Sequence, residues 1–190
     1  MDTTTSKARE LGLLAVRLGF GGAAFSHGAQ KLFGWFGGGG LEGTGAFFQS
    51  AGFTPGRRNA LFSGLAEAGG GAAIALGLAT GPAGAAMTGN MVVASSTHVE
   101  NGFFAQGGGL ELPSLYALVG TALTLSGGGR YSLGAVTGRV LDKPWMRVLA
   151  YGAAVGSAVY LISARKQELA SRPQPEEEAD AAAEEAQAQD

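Results

Sequence analysis

Residues 11–33 read LGLLAVRLGFGGAAFSHGAQKLF, an apolar run broken by one cation, Arg17, and closing on the polar group His27, Gln30 and Lys31. A helix needs about 17–25 residues of this kind to cross a bilayer. Four further apolar stretches follow, at 60–79, 82–99, 112–126 and 145–163. The fourth of the five stretches is short and is expected to borrow flanking residues. The pattern predicts an all-α fold, a polytopic membrane helix bundle.

Composition agrees. Only 15% of the 190 residues are charged and 46% are hydrophobic, against roughly 25% charged in soluble domains. Glycine is abundant, 34 residues without a three-residue period. Glycine weakens helices in water, but in lipid small residues let helix backbones approach closely. Small residues four apart, Ala15, Gly19 and Ala23, Ala85 and Gly89, and Gly152 and Gly156, are read as packing faces within the bundle in preference to a dimer seam; a homo-oligomer stays open. There is no cysteine, which excludes a thiolate nucleophile, a disulfide framework, a cysteine-ligated cluster and covalent haem attachment. Net charge of −2 gives no warrant for nucleic-acid binding.

Breakers divide the runs: Gly37–Gly40, Thr54-Pro55-Gly56, Thr80-Gly81-Pro82, Gly107–Gly109 and Gly127–Gly129. The glycines between Gly39 and Gly45 are read as a loop and not a phosphate loop, because no Gly-Lys-Ser/Thr follows them. Lys7 and Arg9 before the first run resemble the start of a signal peptide, but Arg17 interrupts the expected h-region. The expected organisation is an N-terminal cap at 1–10, a transmembrane bundle at 11–133, a linker and further transmembrane helix at 134–166, and a disordered acidic tail at 167–190. Prolines and dense like charge underlie the last expectation.

Charges within a span are costly and face partners in the bundle interior. At about 1.5 Å per residue, Arg17 lies roughly 9 Å and His27 roughly 24 Å from the start of the first span, and Glu67 roughly 12 Å in from the face where that span ends. Glu67 is therefore placed to pair with His27, Lys31 or Arg17, and the sequence does not choose. Parity of crossings brings His98, Glu100, Asn101 and Glu111 to the face carrying His27, Gln30 and Lys31, with Trp35, Phe36, Phe103 and Phe104 beside them. Such a rim suits hydrogen bonding and proton relay to a quinone flanked by aromatics. It also suits a structural polar cap with an aromatic belt. Haem or a metal on two histidines is the poorer fit. Asn90, Thr121 and Thr124 are explained by interhelical hydrogen bonds.

The succession HGAQKLFGWF from His27, GLAEAGGG around Glu67, HVENGFF from His98, Glu111-Leu-Pro and Gly129-Arg-Tyr-Ser resembles the DoxX family of small bacterial membrane proteins over residues 11–133. That resemblance implies a four-helix core, making the 145–163 span an addition, and a multi-pass protein of the bacterial plasma membrane. It further implies a membrane subunit of a redox complex, associated with quinone reduction, sulfur-compound oxidation or oxidative and thiol stress, with other redox proteins and the lipid bilayer as partners. The motif positions His27, Lys31, Glu67, His98 and Glu111 are the candidate catalytic residues, and Gln30, Trp35, Asn101 and Phe103 are candidates for holding the quinone. A non-catalytic scaffold recruiting a soluble redox enzyme is the alternative. A small transporter or lipid-binding bundle, with Arg17 and Glu67 lining a cavity, is a second. Basic residues divide evenly between the two faces, and Lys7 and Arg9 favour a cytoplasmic N-terminus.

Overall fold

The computed structural model describes residues 3–173, and every element among them is helical. The helices are α1 (Thr3–Phe33), α2 (Gly40–Ser50), α3 (Gly56–Leu76), α4 (Thr80–Ser95), α5 (Glu111–Ser126), α6 (Leu133–Val136) and α7 (Pro144–Ala170). Short 3-10 turns lie at Trp35–Gly37, Val99–Asn101 and Ala105–Gly107. Left-handed glycines end α1 at Gly34 (φ 71°) and α3 at Gly77 (φ 69°), where any Cβ would be strained.

Three sequence expectations need correction. The glycines read as a loop after residue 39 instead open the eleven-residue helix α2, which lies on α3 and α1. Residues 3–10, expected as a separate cap, are the first turns of α1. Residues 167–170, assigned to the disordered tail, continue α7; the rest of the tail, from 174 onward, lies outside the described residues.

α1 packs along α3, α3 against α4, α4 against α5, and α5 touches α1 again, closing a ring of four helices. α7 packs on the outside of α4. The α1–α3 seam runs through Arg17, Gly21, Ala24, Gly28 and Lys31 on one helix and through Ala60, Gly64, Glu67, Gly71 and Ile74 on the other. Both series step by four and three alternately, the 3.5-residue repeat that keeps two long helices in register. Where Gly28 faces Ala68, a Cβ would collide with the Ala68 backbone, and at Gly71 it would lie 2.6 Å from the Gly21 carbonyl.

The seam differs from the small-residue faces expected from sequence. Gly19, Gly152 and Gly156 have open space where a Cβ would go. Gly89 does make a close approach, its Cβ position lying 2.9 Å from Ala154 of α7. A four-residue repeat drifts around a helix, whereas the alternating repeat stays on one partner.

Among the described residues only α7 is both long and apolar enough by itself to cross a membrane, and it is barely covered by the others. α4 and α5 have 16 residues each, about 24 Å of helix, and α3 carries Arg57, Arg58 and Glu67 besides its glycines.

Gly28→Val is expected to lower stability in detergent by about 1–3 kcal/mol, as overpacking does, whereas Gly19→Ala should leave it unchanged or raise it by up to about 1 kcal/mol. Thermal unfolding of the two variants checks this. Equal melting temperatures would show that the helices do not meet through Gly28.

Candidate functional site

The last turns of α1 present Lys31 to α3. Its ammonium donates to Ser63 Oγ at 3.1 Å and, in a short contact, to Glu67 Oε1. Asn90, from α4, donates to the same oxygen at 3.0 Å. Three helices therefore converge on one carboxylate, which is 3% exposed against 27% for the Lys31 side chain. The other carboxylate oxygen, Glu67 Oε2, is buried and has no hydrogen-bond partner. A buried acceptor without a partner costs about 1–3 kcal/mol, more for a charged group, so this arrangement is either strained or poised to receive a donor.

Lys31 opens on its other side to a groove of about 350 Å³ lined by Gln30, Lys31, Gly38, Gly39, Thr44 and Phe47. The α1–α2 connection and α2 make its wall, so the helix missed in the sequence shapes the approach to the ion pair. An ammonium has three donors. Two are engaged by Ser63 and Glu67, leaving a third without a partner among the described residues.

His27 sits one turn before Lys31 and is exposed. Its Nδ1 lies 3.1 Å from Gln30 Oε1, and its ring meets the edge of Tyr116 at 5.9 Å. Gln30 in turn donates to the Phe36 carbonyl at 3.4 Å. Gln30 thus borders the groove, His27 is linked to it only through Gln30, and neither hydrogen-bonds to Glu67.

The α4–α5 loop is organised separately. His98 Nδ1 lies 2.6 Å from the Gly108 carbonyl, to which Asn101 also donates at 3.2 Å. Glu111 accepts from the Ala105 amide at 2.9 Å. These three candidates hold the loop in shape, and none hydrogen-bonds to Lys31 or Glu67. Trp35 packs with Phe33 and Phe36, and Phe103 with Phe104, on exposed loop surfaces. Among the described residues no three His, Asp or Glu side chains converge on a metal-sized site.

At the far end of the bundle Arg17 is 1% exposed. It donates to the carbonyls of Ile74 (2.9 Å), Ala75 (3.0 Å), Tyr131 (2.9 Å) and, in a short contact, Gly128. The sequence left Glu67 a choice of partners, and the structure gives it Lys31. Asp142, not singled out in the sequence, accepts from the Gly81 amide at 3.2 Å and from Arg147 at 2.8 Å. Its place before Lys143-Pro144 reads as a cap for α7, yet it caps α4.

Residues 12–99 match the family model DoxX. This segment belongs to the DoxX family. DoxX proteins are membrane-associated, and the matched segment carries the Lys31–Glu67–Asn90 cluster and the whole groove. It stops before α5, α6 and α7. No curated protein and no solved structure matches the chain.

Removing one partner of a buried pair leaves an uncompensated charge, at a cost of about 3–5 kcal/mol. Lys31→Met is expected near the lower end of that range, because the lysine is partly open to the groove. Adding Glu67→Gln should recover most of the loss. A double variant as unstable as the sum of the two singles would mean that the pair is not coupled, and thermal melts of the four proteins give the answer.

Proposed function

We propose that this DoxX-family chain is a multi-pass protein of the bacterial plasma membrane and a subunit of a redox complex, in which the Lys31–Glu67 pair serves a quinone admitted through the adjoining groove. The membrane part of the reading is supported by an inverted distribution of polarity. Arg17, Glu67, Thr80, Thr88, Thr124 and Asp142 are buried, while Leu18 of α1, Phe62 and Leu65 of α3, Leu118 and Leu125 of α5 and Val148 and Val159 of α7 face outward. Water would penalise so much exposed apolar surface spread around every side of a bundle. Hydrocarbon accommodates it. α4 and α5 are as apolar as α7 and fall short of it only in length, with 16 residues each, while α1 and α3 carry charged residues beside their glycines and alanines.

The observation that carries the chemical reading is the unpartnered Glu67 oxygen beside a lysine that reaches a groove. Reduction of a quinone to the quinol takes two electrons and two protons. Lys31 would donate a hydrogen bond to a quinone carbonyl and fix its position, and the Lys31–Glu67 pair would pass the two protons in turn, taking one up again from water after each transfer. The electrons would come from a redox-active partner protein, the chain itself having no thiol to supply them. Gln30 borders the groove and would contribute a polar contact, with His27 Nδ1 against its amide oxygen. His98 and Glu111 act at one remove, by shaping the α4–α5 loop.

The exposed pairs Trp35–Phe36 and Phe103–Phe104 favour a second reading, a scaffold that recruits a soluble redox enzyme without chemistry of its own. The two readings separate on the ion pair. Under the first, the full chain in lipid nanodiscs binds a short-chain quinone, and Lys31→Met weakens binding about tenfold, the loss expected for a hydrogen bond from a charged donor. Wild-type protein that binds no quinone, or a variant that binds it as well, overturns the quinone role. Recovery of a partner that depends on Trp35 and Phe103 but ignores Lys31 would then favour the scaffold.

Five crossings, α1, α3, α4, α5 and α7, put the chain's ends on opposite faces. Reporters fused after residue 38, in the loop at 102–109 and at the C-terminus are expected to read one side, and those at the N-terminus and at 137–139 the other. A C-terminal reporter on the N-terminal side would remove one crossing.

A further inference from the structure

A second cavity, of about 460 Å³, lies between the α2–α3 turn and the last turns of α7, with Phe53, Arg58, Tyr160, Leu161, Arg165 and Glu168 among its lining. Neither the quinone reading nor the family motifs involve it. Arg165 is held in place on one edge only: its Nε donates to the Ala51 carbonyl at 2.8 Å and its guanidinium lies 5.7 Å from the centre of the Phe53 ring. Its two terminal nitrogens have no partner among the described residues. Arg58 is exposed and has neither a hydrogen bond nor an ion pair among them. The one acidic group in the lining, Glu168, is engaged by Arg172 at 3.5 Å. Two free guanidinium faces are thus set against one compensated carboxylate, and a guanidinium fork matches a phosphate.

Position selects the kind of anion. The apolar part of α7 gives way to charge at Arg165-Lys166, beginning five residues beyond the exposed Tyr160. Tyrosine followed by arginine at the end of an apolar helix marks the boundary between hydrocarbon and headgroups. The cavity straddles that boundary, with Tyr160 and Leu161 toward the apolar side and Arg165, beside the Phe53 ring, beyond. We propose that this cavity binds an anionic phospholipid, its phosphate between Arg58 and Arg165 and its acyl chains along α7. The proposal rests on the membrane reading above and is independent of the quinone role.

The test uses the full chain in nanodiscs of phosphatidylcholine alone or with phosphatidylglycerol, scoring retained lipid by native mass spectrometry and stability by thermal melting. Phosphatidylglycerol should be retained and should raise the melting temperature over phosphatidylcholine alone. Arg58→Gln, at an exposed residue whose loss leaves the fold intact, should reduce retention about fivefold, the effect of one cation at an anionic surface. Arg165→Gln should reduce it further, and Arg139→Gln, at the opposite end, should leave it unchanged. Retention unaffected by Arg58→Gln overturns the site while leaving the membrane reading intact. So does equal stabilisation by inorganic phosphate in phosphatidylcholine discs, which would identify a free-anion site. A chain that enters neither disc overturns the membrane reading and this site with it.

Discussion

The close approach of the α1 and α3 backbones sets the register of the rest of the bundle. Gly28 lies against Ala68 and Gly21 against Gly71 with no room for a side chain between them. Once those contacts are made, Lys31, three residues beyond Gly28, must meet Glu67, one residue before Ala68. Arg17, four residues before Gly21, must meet the carbonyls of Ile74 and Ala75. The ion pair and the buried arginine are therefore the two ends of a single seam. In a bilayer, where burying apolar surface between helices gains nothing over lipid, van der Waals contact of this closeness and the polar links at its ends are the forces available to hold two helices together.

That constraint also explains why the protein buries so little bulk. Ala24, Ala60, Ala85 and the seam glycines fill positions that leucine or phenylalanine would occupy in a water-soluble bundle, and the larger cores are small groups such as Ala24, Met87 and Met91 or Ile74, Ala83 and Leu123. The large apolar residues are left for the outside. Between α4 and α5 the same economy of volume recurs: Gly84 and Gly120 face each other's helices, and Thr88 reaches the Ala117 carbonyl at 3.3 Å and the Thr121 hydroxyl at 3.3 Å. α4 and α7 repeat it once, at Gly89 and Ala154.

Much of this was legible in the sequence, and the parts that were not share a cause. The five long helices and their order follow from the apolar runs, and the alternating direction of successive helices places His27, Lys31, His98 and Glu111 toward one end. Within a run, however, composition does not reveal which small residues touch a neighbour. Ala15, Gly19 and Ala23 are as small as Gly21, Ala24 and Gly28, and only the long helix pair selects the 3.5-residue series. The partner of Glu67 depended on that choice. Asn90 was readable as a generic interhelical polar group, and its target became definite only when α4 was set beside α3. α2 was hidden because glycines crowd its first turns, and its helical state depends on packing against α3 at Gly45 and Gly56.

The two ends of the seam are chemically unequal, and this asymmetry is what supports placing the proposed site at Lys31 and Glu67. At the Arg17 end, the guanidinium is spent on backbone carbonyls and Asp142 is divided between an amide and Arg147; the one orphan nearby is a neutral hydroxyl, that of Thr80. Such a network fixes the C-terminus of α3 and the start of α4 but offers nothing to a ligand. At the Lys31 end, a carboxylate oxygen lacks a donor, the ammonium has one hydrogen without a partner among the described residues, and Lys31 lines a groove open to the outside. Leaving a buried carboxylate half-satisfied lowers stability, and a purely structural pair could have been completed by one more hydroxyl or amide from α4 or α5. The unfinished coordination of Glu67, set on rigid helices whose register cannot slip, is the arrangement expected where a substrate or a moving proton supplies the missing partner.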